Sequence, residues 1–125
     1  MSEPLPSTVS EALEHLRSQP GVNVTRQPVG TIMTVITLQH RYELLIVNPA
    51  AAGRVQVSGN DIRLNNESLT GQFLQSTYGI DEQVAIDNWI GRSMKMHIRF
   101  KNGVMITAPA INAAIRGKSW SFEVF

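Results

Sequence analysis

The sequence predicts a mainly β fold, or α+β if its one helix is counted: an antiparallel β-barrel or sandwich of about eight short strands. Three observations carry this. Between Ser93 and Phe100, the apolar Met94, Met96, Ile98 and Phe100 alternate strictly with Lys95, His97 and Arg99, the period of a half-buried strand. Several other β-branched or alternating runs are separated by turns of hairpin length, such as Ser58-Gly59-Asn60-Asp61 and Lys101-Asn102-Gly103. No βαβ rhythm is visible, which points away from a parallel sheet.

Residues 1–6, with two prolines and no periodicity, read as a loose tail ahead of one domain over residues 7–125. Thr8 and Glu11 have the spacing of a capping box, and Val9, Leu13 and Leu16 make a narrow apolar stripe that ends before Pro20-Gly21. So short a helix needs a sheet to lie on. Strands follow, first through Val22 and Val24. Thr31 to Leu38 is then answered by Tyr42 to Val47 across Gln39-His40-Arg41, which would set Leu38 against Tyr42 and Ile36 against Leu44 at the centre of the sheet. Asn48-Pro49 opens a turn closing at Gly53, Val55 and Val57 form the next strand, and Ile62 with Leu64 a short partner.

From Asn65 to Asn88 the pattern reads as loop with short elements. Leu69, Phe73 and Leu74 suit a helical turn, and Asp81-Glu82 a helix start, although Val84 and Ile86 also alternate like a strand. In the 93–108 hairpin, a loop of Lys101-Asn102-Gly103 pairs Phe100 with Val104 and Ile98 with Ile106, gathering the apolar residues on one face. Lys95, His97, Arg99, Met105 and Thr107 would form the other. Gly103 then takes positive φ. The chain ends on a strand with Trp120, Phe122 and Val124 pointing inward and an unpaired edge, an expected route to a homodimer.

The composition excludes several functions. There is no cysteine, so no disulfide, thiolate metal site or cysteine nucleophile. Among 125 residues, no apolar run approaches the ~18 residues of a membrane span and no basic, apolar leader opens the chain, so a cytoplasmic location without membrane contact is expected. The net charge is +1, but every basic residue from Asn88 to Phe122 (Arg92, Lys95, Arg99, Lys101, Arg116, Lys118) stands without an acid in that stretch.

The segments Tyr42 to Pro49, Gly53 to Gly59, Trp89 to Met96 and Val104 to Pro109 resemble small uncharacterised bacterial proteins of planctomycete type. The resemblance covers about the last two-thirds of the chain and implies no activity.

No catalytic residue, metal ligand set or cofactor motif is identified. His15, His40 and His97 lack metal-site spacing, and Gly91-Arg92-Ser93 leads into a strand rather than the helix a nucleophile elbow requires. What remains is a basic row, Lys95, His97 and Arg99 with Arg92 nearby. It reads as the contact face of a non-catalytic domain that binds a macromolecular partner or a second copy of itself. The same face could serve a nucleic-acid accessory protein, a third reading is an enzyme with an unfamiliar site, and the plainest is a solvated or edge-protecting strand face.

Overall fold

The computed structural model describes residues 9–48, 53–79 and 83–125. Helix α1 (Val9–Ser18) leads into β1 (Gly21–Asn23), a 3-10 turn at Val24–Arg26, β2 (Ile32–Ile36), β3 (Arg41–Asn48) and β4 (Arg54–Gly59). A second 3-10 turn, Ile62–Leu64, precedes β5 (Leu69–Tyr78), β6 (Val84–Asp87), β7 (Trp89–Gly91), β8 (Lys95–Phe100), β9 (Gly103–Pro109), β10 (Asn112–Arg116) and β11 (Ser121–Glu123). The expected tail, Thr8 of the capping box, Pro49 and the Asp81-Glu82 start lie outside the described residues.

Every pairing is antiparallel, as the alternating pattern requires. A nine-stranded sheet runs β11-β10-β2-β3-β4-β5-β8-β9, with β6 beside the second half of β5, and β1 pairs with β7 in a separate ribbon. The sheet is not closed into a barrel; its layering is that of a sandwich. Ala110 donates its N–H to the Met94 carbonyl and Ile111 to that of Ile36, so the chain steps from the β8 side directly to β2. Strands far apart in pairing order thereby face each other across one core.

That core holds Met33, Val35, Tyr42, Leu44, Ile46, Val55, Val57, Phe73, Met96 and Ile98, all essentially without solvent exposure. Each large apolar side chain taken out of water contributes roughly 1.5–3 kcal/mol. A smaller cluster of Leu16, Val84, Ile86 and Met94, flanked by Leu13 and Trp89, fixes α1 against β6, so the helix does rest on the sheet.

Several expected details are corrected. The β2–β3 register sets Val35 against Tyr42 and Met33 against Leu44, which turns Ile36 and Leu38 outward, the latter 86% exposed. Thr37 decides this: its backbone N–H donates to the His40 carbonyl at 2.9 Å and its hydroxyl accepts from the His40 N–H at 3.1 Å, so a polar side chain can sit inside a closed tight turn. Ile62–Leu64 is a 3-10 turn rather than a strand. Asp61 caps it by accepting from the Arg63 N–H, and Asn65 ends it in the left-handed region at φ 54°.

The stretch read as loop contains β5, the longest strand described. A bulge between Phe73 and Gln75 resets its alternation, so Phe73, Ser76 and Thr77 are all buried and no clean period survives. Val84 to Asp87 is a strand, not part of a helix. In the β8–β9 hairpin Phe100 pairs with Gly103, leaving Lys101 and Asn102 as the loop, and Ile98 pairs with Met105. Met105 and Thr107 therefore face inward, and Val104 and Ile106 outward. Thr107 is accommodated at a second bulge, where its hydroxyl accepts the Met96 N–H at 3.0 Å. Trp120 and Phe122 do not point into the core: they stack on each other at 5.6 Å, 41% and 57% exposed, while Val124 and Phe125 pack against it.

Candidate functional site

The structure divides the four residues expected to form a basic contact face. Alternation places Lys95, His97 and Arg99 on one side of β8, opposite Thr77, Gln75 and Gln72 of β5. Arg99 is exposed and Lys95 half-buried. His97 is buried, 7% exposed, with its Nε2 2.8 Å from the Thr77 hydroxyl. Arg92 belongs elsewhere: in the turn between β7 and β8, its guanidinium lies 5.7 Å from the centre of the Phe125 ring, a cation–π contact. Since β8 lies inside the sheet, its charges do not protect an edge.

A basic residue not foreseen joins Arg99. Arg54 on β4 pairs in register with Gln72 on β5, and Gln72 pairs with Arg99 on β8. Val55 and Val57 face the core on β4 and Ile98 does so on β8, so alternation sends both arginines to the outer surface. At ~4.8 Å per strand step their Cα atoms are about 10 Å apart. Between them runs an open groove of about 360 Å3 lined by Arg54, Thr70, Gly71, Gln72, Arg99 and Phe100, with no acid among the described residues of its wall. The signal for Arg54 was its alternation with Val55 and Val57; what was missing was β5, the strand that sets it opposite Arg99.

Three other arginines are paired with acids. Glu43 lies 3.4 Å from Arg41 and 3.9 Å from Arg116, and Asp61 lies 2.7 Å from Arg63. Arg54 and Arg99 have no ion pair among the described residues. Asp87 lies opposite Gln75, on the same edge of β5 as Arg54 and three residues further along it than Gln72.

The most connected polar cluster is Tyr42, Asp61 and Arg63. The Tyr42 hydroxyl donates to Asp61 Oδ2 at 2.6 Å, and Arg63 donates through Nη2 at 2.7 Å and through Nε to Oδ1 at 3.1 Å. His40 Nδ1 lies 3.9 Å from the same carboxylate. Hydrogen bonding from Arg63 holds the Asp61 carboxyl well below the usual carboxylate range, while burial, then the bond to Asp61, pushes the Tyr42 phenol up. The acid is thus fixed ionised and the phenol fixed protonated, the reverse of groups poised to exchange a proton near neutral pH. The cluster is a latch; its sequence signal was an acid two residues before an arginine in a tight turn.

Among the described residues, no three of His, Asp and Glu come close enough together to hold a metal ion, and no helix is long and apolar enough to cross a membrane. Comparison of the chain with known protein families, with curated proteins and with solved structures returned no match.

Proposed function

We propose that this protein is a non-catalytic binding domain that contacts an anionic macromolecular partner through the outer face of β4, β5 and β8, with Arg54 and Arg99 as the charged contacts and Lys95 alongside. The reading is supported by one observation above all: two exposed arginines brought into the same row of the sheet, flanking a neutral amide, in a groove with no acid among its described residues. With a net charge of only +1, affinity for an anion has to come from such a local concentration of charge.

Retention on immobilised heparin tests this. Arg54→Glu and Arg99→Glu should each elute at clearly lower salt than Lys118→Glu, which makes the same charge change outside the groove. Equal losses from all three would show that only net charge matters. A duplex oligonucleotide bound with a steep dependence of log affinity on log salt would turn the reading toward nucleic acid.

A second reading, self-association, is favoured by β11. This strand ends the sheet order, all its residues, Phe122 among them, are exposed, and Trp120 just before it is 41% exposed. Sedimentation at micromolar concentration should show a dimer that Phe122→Lys dissociates; a monomer at all concentrations overturns this reading.

A further inference from the structure

We infer that the groove between Arg54 and Arg99 is a phosphomonoester site and takes a phosphorylated side chain of a partner protein. The inference rests on the binding face proposed above and names the group that would anchor there.

The donors decide the ligand class. Arg54 and Arg99 each bring a planar guanidinium to one groove from opposite sides, and Gln72 and Thr70 add an amide and a hydroxyl between them. A carboxylate carries one charge on two oxygens, so a single bidentate arginine already balances its charge. A phosphoserine or phosphothreonine carries about −1.5 to −2 charges on its terminal oxygens at neutral pH, which matches two arginines lining one groove with neutral donors for the remainder.

A nucleic-acid strand fits less well. Its phosphates are singly charged and strung out along a chain, whereas these arginines stand in a single row across the strands, on either side of one groove. Base stacking also needs a free aromatic face. Phe100, the aromatic residue of this groove, lies against Gly71, its ring carbons 2.8 Å from where a Cβ would stand, and is committed to packing. On the far side of Arg99, Val104 is 48% exposed and offers an apolar contact to a flanking peptide.

The test is an NMR titration of the full 15N-labelled chain, following the Nε–H signals of Arg54 and Arg99 and the side-chain amide of Gln72. The probes are inorganic phosphate, an alanine-flanked phosphoserine peptide, the same peptide with glutamate, dimethyl phosphate and oligothymidylate. Phosphate and the phosphopeptide should shift all three sets of signals saturably, the phosphopeptide binding at least about tenfold more tightly than the glutamate peptide and dimethyl phosphate. Arg54→Gln and Arg99→Gln should each remove that preference while the circular dichroism melt is unchanged. Equal binding of glutamate and phosphoserine peptides overturns the phosphomonoester site but keeps an anion-binding face. Tighter binding of oligothymidylate overturns it in favour of nucleic acid. No shift with any probe, with heparin retention indifferent to both arginines, overturns the face itself.

Discussion

Arg63 holds two distant parts of the chain at once: its Nη1 donates to the backbone carbonyl of Ile106 at 3.1 Å, while its Nε and Nη2 grip Asp61. Ile106 lies on β9, an end of the main sheet, so the guanidinium occupies a carbonyl that would otherwise face outward unpaired. Asp61 in turn caps the 3-10 turn and takes the Tyr42 hydroxyl from the core.

This arrangement predicts a particular acid sensitivity. The Asp61 carboxyl titrates lower in the folded chain than its unfolded value of about 3.9, so its contribution is complete above that value and lost as pH falls toward the folded one. Asp61→Asn should cost about 2–3 kcal/mol at pH 7, discounted because Arg63 is half exposed, and should flatten the decline in stability on acidification. Urea unfolding at neutral and acidic pH measures both. Parallel pH profiles for the two proteins would assign the acid sensitivity to other groups.

Ser76 carries the opposite expectation. Its hydroxyl is fully buried on β5, between Ile86 and Met96, with no hydrogen-bond partner among the described residues. An unsatisfied buried hydroxyl costs about 1–3 kcal/mol, so Ser76→Ala should be neutral or stabilising by about 1 kcal/mol. A clear loss of stability in chemical denaturation would mean that the hydroxyl has a partner such as an ordered water.

The two faces of β8 should respond differently to truncation. Ile98 is fully buried against Phe73 and Met105, and Ile98→Ala should cost about 2–5 kcal/mol. Arg99, one residue on and exposed, should lose no more than about 0.5 kcal/mol as Arg99→Ala. Similar shifts in melting temperature would contradict the assigned faces.

That contrast also marks how far the sequence could be read. Strict alternation from Met94 to Phe100 identified the strand, its core face and the outward placement of Lys95 and Arg99. It did not identify the partner register, because a loop chosen to collect apolar residues ignores Thr107, whose hydroxyl fills a bulge, and Met105, which serves the core as well as valine would. Nor did it foresee that His97 would be covered, since neighbours brought from other parts of the chain decide burial. β5 stayed hidden because its bulge breaks the two-residue period and Gly71 reads locally as a breaker. Without β5, nothing connects Arg54 to Arg99, so half of the candidate site could be named but not assembled.

Gly71 tests this last point, because its reason for being glycine is contact rather than conformation. A Cβ there would stand 2.8 Å from both the Arg99 carbonyl oxygen and the Phe100 ring, tighter than real side chains pack. Gly71→Ala must push β8 away or swing Phe100 out of place, at a cost of about 1–3 kcal/mol. Gly103 is the converse: a Cβ would meet nothing within 4 Å, but the residue sits at φ 135°, where only glycine is comfortable, so Gly103→Ala pays backbone strain alone, of order 1 kcal/mol or more. The two differ in what else they disturb. Displacing β8 moves Arg99 relative to Arg54, so Gly71→Ala should also weaken heparin retention, while Gly103→Ala, in the hairpin turn outside the groove, should leave it unchanged. Retention unaffected by Gly71→Ala, or reduced equally by both, would separate the groove from the packing beneath it.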